Sequence, residues 1–143
     1  MLVKGVPFSA ENHSHCVMCG ELNPLSLRLN FVPDGSGAVS AFFQGNVLLQ
    51  GYDGILHGGV ISALLDSAMT HCLFHRKIEA VTGELLVKFA APVPYNVWLT
   101  VRGWLVSATP PLHVLKAELL QAGAVMASAD AKFMQRYQYN GQY

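Results

Sequence analysis

The spacing of apolar residues changes twice along the chain. Over residues 25–32 apolar and polar positions alternate, with Leu27, Leu29 and Phe31 on one side and Arg28 and Asn30 on the other, which predicts a strand. The turn cluster Pro33-Asp34-Gly35-Ser36-Gly37 follows, and residues 38–44 read as the second arm of a hairpin. Residues 46–50 then lead into GYDGILHGGVISALLDSAMTHCLF, residues 51–74, where the alternation stops. From Val60 to Phe74 every residue is apolar or small except Asp66, Thr70 and His71, the pattern of a helix buried nearly all round. Arg76-Lys77 would face the negative end of its dipole. After them the period returns to two. Residues 84–90 place Leu85, Val87 and Phe89 on one face, and Pro92 and Pro94 end that strand. Residues 97–107, 112–122 and 124–137 are three more strand-like runs, divided by Thr109-Pro110-Pro111 and by Gly123.

Two strands, one long helix and four further strands joined by short turns imply an antiparallel sheet, and a buried helix needs that sheet as cover. The expected architecture is α+β, with the sheet curled around one central helix and one edge left open for a second subunit. A length of 143 residues suits a single domain spanning 1–143, with 1–12 as an N-terminal arm and 138–143 as a loose tail.

Composition sharpens this picture in three ways. Hydrophobic residues make up 52% and charged residues only 13%, so part of the apolar surface is expected to lie between subunits. Net charge is zero without a basic run, which removes the electrostatic case for a nucleic-acid partner. No apolar stretch has the length of a membrane span and no signal peptide is visible, so the 3 cysteines read as reduced thiols of a cytoplasmic protein.

The candidate chemistry sits in the central helix. A carboxylate at Asp66, inside an apolar helix, is costly unless it is hydrogen-bonded, paired or protonated. The glycines at the helix start, Gly51, Gly54, Gly58 and Gly59, permit close approach to unpaired N–H groups at the positive end of the dipole. Gly58 or Gly59 N–H is thus a candidate carbonyl-polarising donor, and Asp66 a candidate general base or nucleophile. His57 precedes Asp66 by nine residues, about two and a half turns, so the two point to nearly opposite sides. Two chains packed helix beside helix could aim both at one substrate. Ser62 and Thr70, one turn before and after Asp66, share its face. His57 reads as a residue that fixes the turn by hydrogen bonding. The segment His13-Ser14-His15-Cys16-Val17-Met18-Cys19 has metal-ligand character, but a lone Cys-x-x-Cys is a weak signal, and a tight turn is the preferred reading, with no metal assigned.

These residues also carry a resemblance. Gly51-Tyr52-x-Gly54-Ile55-x-His57-Gly58-Gly59, then Leu65-Asp66, Thr82-Gly83-Glu84-Leu85 and Lys88-Phe89-x-x-Pro92-Val93-Pro94 resemble the hotdog-fold acyl-CoA thioesterases of the phenylacetate-degradation (PaaI-like) type. Cys16-x-x-Cys19-Gly20-x-x-Asn23-Pro24-x-x-Leu27 is similar to the N-terminal signature of one branch of that family. The likeness spans residues 16–134. It implies a hotdog fold, hydrolysis of an acyl- or aryl-CoA thioester without a metal or organic cofactor, and a homodimer or homotetramer with sites across the subunit interface. It also implies a water-orienting role for Thr82. Gly51, Tyr52, Ser62, Thr70 and Lys88 are the expected substrate contacts, Lys88 among the cations available to the coenzyme phosphates. Two departures stand out: Asp53 replaces a proline common among relatives, and Gly51 replaces a polar residue, often asparagine. A non-catalytic acyl-CoA or aromatic-ligand module on the same fold is the alternative expectation.

Overall fold

A computed structural model describes residues 13–136 of the chain. The arm expected at 1–12 and the tail at 138–143 lie outside the described residues. The elements run β1 (Val32–Pro33), β2 (Val39–Gln44), α1 (Gly58–Phe74), β3 (Ala80–Phe89), β4 (Trp98–Thr109), β5 (Leu112–Gln121) and β6 (Ala124–Gln135). One six-stranded sheet has the order β1-β2-β4-β5-β6-β3, and every neighbouring pair is antiparallel. This is the hotdog architecture, with α1 laid across the sheet's concave side.

Local chemistry explains most of these boundaries. The β5–β6 hairpin turns on two residues, Ala122 and Gly123, both at positive φ (47° and 83°), the left-handed geometry that a tight hairpin between twisted strands requires. The first expected strand is a correction. Residues 25–31 join no ladder, because Arg28 turns left-handed at φ 53° and the N–H groups of Leu27 and Leu29 donate to the carbonyls of Val17 and Met18. Only Val32–Pro33 reaches β2, although Leu29 and Phe31 are buried as the alternation implied.

The core forms where α1 crosses a row of small residues. In register across the sheet lie Gly103 of β4, Ala117 of β5 and Ala129 of β6, with Val87 of β3 next in line. A Cβ on Gly103 would sit 2.8 Å from the Ala68 backbone, so the helix rests on β4 with no room for a side chain between them. Leu64, Leu65, Ala68, Met69, Cys72 and Leu73 bury one broad face of α1. The helix is not covered all round, as its composition suggested. Ser62, Ala63, Asp66 and Thr70 form a stripe that stays partly exposed in the single chain.

Overpacking at such a contact costs about 1–3 kcal/mol. Gly103→Ala should therefore lower the denaturant midpoint by that equivalent at unchanged slope, and an unaltered midpoint would show that the helix can lift off the sheet freely.

Candidate active site

The helix start is built from a loop held by its own backbone. Leu56 N–H donates to the Val93 carbonyl, His57 N–H to the Leu49 carbonyl and Gly51 N–H to the Ile55 carbonyl, fixing where α1 begins. His57 then caps it: its Nδ1 accepts from Gly59 N–H at 2.8 Å. A Cβ on Gly59 would lie 2.9 Å from that nitrogen, and one on Gly51 would lie 3.3 Å from the His57 ring. Both glycines thus make room for the capping imidazole. Gly59 N–H is consequently engaged, whereas Gly58 N–H, at the first helical position, has no carbonyl one turn back within the helix to bond. The Phe89 ring lies over Gly58, about where a Cβ would make ordinary contact at 3.5 Å.

Asp66 sits two turns further along. Its Oδ1 accepts from the Thr82 hydroxyl at 2.6 Å, a charge-assisted distance. The register of β3 makes this bond possible. Thr82 pairs with Phe133 and Glu84 with Lys132, leaving Gly83 as a bulge. The extra residue shifts the alternation, so Ala80 and Thr82 before it and Val87 and Phe89 after it turn to the helix side. Burial raises the Asp66 carboxyl above its ordinary range, and the Thr82 hydrogen bond opposes that rise without cancelling it.

The other expected contacts are placed as follows. Ser62 donates to the Gly58 carbonyl at 2.9 Å and Thr70 to the Asp66 carbonyl at 3.0 Å, so both hydroxyl protons are spent within the helix. Tyr52 is 86% exposed, and Gly51 and Lys88 are also exposed. Gly58 and Asp66 are separated by about 12 Å along the axis at 1.5 Å per residue, too far for one carbonyl to touch both within a single chain.

A cavity of about 780 Å³ lies elsewhere, against the C-terminal half of α1, lined by His13, Cys19, Phe31, His71, Phe74 and His75 among others. None of the residues expected at the site reaches it. Burial and the neighbouring His13 and His75 hold His71 down to about 4, so its ring, stacked on Phe31, is neutral at neutral pH. Burial, with the hydrogen-bonded Cys16 beside it, pushes the Cys19 thiol up to about 12. The sequence marked neither His71 nor this cavity. Their one signal was the i, i+4 spacing of His71 and His75 at the end of an apolar helix.

The fold and the helix-start geometry define a hotdog protein of the thioesterase type. Residues 53–130 match the family model of the thioesterase superfamily, and the chain belongs to that superfamily. Among solved structures, a thioesterase superfamily protein aligns with TM-score 0.80 at 24% identity over 85% of this chain, which covers 63% of that protein's length. A Streptococcus mutans UA159 protein, solved bound to acetyl-CoA, aligns with TM-score 0.71 at 19% identity over 77% of this chain and 90% of its own. The E. coli PaaI protein from the phenylacetic acid degradation operon aligns with TM-score 0.72 at 17% identity over 78% of this chain and 82% of its own. At these identities the likeness is one of fold. No curated protein matches the chain. Among the described residues, no helix is long and apolar enough to cross a membrane.

A carboxyl raised in the fold favours folding most when protonated. That advantage is complete below its unfolded pKa and is lost as pH rises through the raised value. Asp66→Asn, which keeps an acceptor for Thr82, should therefore melt above wild type at neutral pH, the gap closing in acid. Thermal scans across pH would check this, and a wild type more stable than the variant at neutral pH would contradict it.

Proposed function

We propose that the chain hydrolyses the thioester of an acyl- or aryl-coenzyme A in a site completed between two copies, with Asp66 as general base or nucleophile. The observation that carries this reading is the half-buried Asp66 carboxylate, held by Thr82 on a stripe of the helix that the described residues leave partly exposed. β3 is an edge strand, with Val81, Leu85, Leu86 and Phe89 exposed, so a second β3 can pair there and hide that apolar surface. Antiparallel pairing would set two α1 helices side by side, and small side chains at Gly59, Ser62 and Ala63 would let them approach. Asp66 of one chain would then face Gly58 of the partner subunit, which removes the 12 Å problem. Homodimer and homotetramer both contain this pairing.

The steps use groups already described. Gly58 N–H, at the positive helix end, donates to the thioester carbonyl and stabilises charge on its oxygen. Acting as base, Asp66 takes a proton from water as the water oxygen bonds to the carbonyl carbon. The tetrahedral oxyanion collapses, the C–S bond breaks, and the thiolate leaves and takes up a proton. Acting as nucleophile, Asp66 instead displaces the thiolate to form an anhydride that water cleaves. Thr82 serves both by holding one carboxylate oxygen and leaving the other free, and burial makes that oxygen more basic. The coenzyme phosphates would meet exposed cations at the mouth, Lys88 among them, with Tyr52 beside the acyl group. The solved Streptococcus mutans UA159 relative bound to acetyl-CoA supports a coenzyme A thioester as ligand class.

Thiol release from a panel of aryl and aliphatic acyl-CoAs tests the proposal. Asp66→Asn should lose about 10²- to 10⁴-fold in kcat while it still folds and oligomerises, the scale of a lost acid–base group. Equal activity in both proteins would remove Asp66 from the mechanism. Acyl-CoA binding without turnover in either would favour the non-catalytic module.

A further inference from the structure

The turn at the start of the described chain brings three donor atoms together. His13 Nδ1 and the thiols of Cys16 and Cys19 all lie within 4.8 Å of one another, and His13 Nδ1 is 3.5 Å from Cys19 Sγ. A tetrahedral zinc with Zn–S of about 2.3 Å and Zn–N of about 2.0–2.1 Å has an N···S edge of about 3.6 Å. The His13–Cys19 edge therefore already has the spacing of one ion, and Cys16 lies within 4.8 Å of both.

The loop is built to hold that spacing. Cys16 N–H donates to the His13 carbonyl and Gly20 N–H to the Cys16 carbonyl, while Met18 N–H points at Cys16 Sγ from 3.3 Å. A Cβ on Gly20 would fall 2.5 Å from both Cys16 N and the Ser14 carbonyl oxygen, so the loop closes only over glycine. Hydrogen bonds from Leu27 and Leu29 tie Val17 and Met18 to the body of the fold, and the His13 ring stands edge-on to Phe74 at 4.6 Å. Little ordering remains to be done on binding.

We infer that His13, Cys16 and Cys19 form a zinc site, with a fourth position opening on the cavity that His13 and Cys19 line. Two thiolates and an imidazole suit a borderline-soft, tetrahedral ion and disfavour magnesium or calcium. Binding replaces two S–H protons with two S–Zn bonds, releases both protons to solvent and changes no oxidation state. Among the described residues no fourth His, Cys, Asp or Glu joins the trio, which leaves the fourth position open to water or a small donor entering from the cavity. The ion would lie outside the thioesterase residues and would cross-link the 13–20 loop to itself beside the C-terminal half of α1. The expectation from sequence set a tight turn against a metal. The structure shows the tight turn, and in the proposed site that turn is what gathers the ligands.

The test uses untagged full-length protein, purified under reductant, with zinc measured by mass spectrometry. Wild type and Cys72→Ser should each carry about one zinc per chain, and Cys16→Ser/Cys19→Ser at least about tenfold less. Cobalt substitution of wild type should give the intense visible bands of a tetrahedral site together with thiolate charge transfer. That readout needs no variant, so misfolding of the double mutant cannot obscure the result. Three results would each overturn the site: folded wild type that neither retains zinc nor takes it from a micromolar-affinity chelator, zinc retained undiminished by the double variant, or a Cys16–Cys19 disulfide persisting under reductant. Thioesterase turnover is a separate readout, and its loss or survival does not bear on metal content.

Discussion

The contact on which the rest of the structure depends is the seat of α1 on β4 at Gly103. Helix backbone meets strand with no side chain between, and Ala117 and Ala129 continue the same shallow row across the sheet. Ala68 is the residue in that seat, and Asp66 lies only two residues before it. The depth of the helix therefore sets the height of the carboxylate above β3, and with it whether Thr82 can reach at 2.6 Å. A bulkier row would lift the helix and break the Thr82–Asp66 hydrogen bond. Packing and chemistry are here the same constraint.

The two ends of α1 divide the labour of the fold. At the N-terminus, glycines clear space for His57, whose ring takes the Gly59 N–H and leaves the Gly58 N–H without an acceptor one turn back in the helix. At the C-terminus, His71 and His75 meet Phe31, Phe74 and the Cys16–Gly20 loop around a cavity of about 780 Å³. Between them lies the partly exposed stripe with Asp66. A chain that leaves a carboxylate half-buried on a seam of small residues, beside an edge strand rich in exposed apolar groups, has an unfinished surface. In the proposed pairing a second copy would cover the helix stripe and the edge strand together.

Legibility in the sequence followed the reach of each interaction. The long helix, the final four strands and the hairpin turns were readable because period and turn chemistry are local. Residues 25–31 misled for the same reason: their alternation reported burial of Leu29 and Phe31 correctly, but their hydrogen bonds go to Val17 and Met18, which no period encodes. Asp66 and Gly58-Gly59 stood out as a charge and a glycine pair in an apolar helix. Thr82 stood out only through the resemblance. A threonine in a strand is ordinarily structural, and only the bulge at Gly83 turns it to the helix.

By itself, then, the sequence determined the order of the elements, the helix that the sheet must wrap, and the acid and glycines that the helix carries. Periodicity and cost of burial are properties of each segment, so they can be read in one dimension. Tertiary structure decided which residues meet. It spent the Gly59 N–H on His57, bound Asp66 to Thr82 sixteen residues away, left the Asp66 stripe partly exposed, and drew His13, Cys16 and Cys19 to within 4.8 Å. Those outcomes depend on a bulge, on the depth of one helix seat and on the closure of one loop over Gly20. Each is a distance between segments, and such distances exist only once the chain has packed.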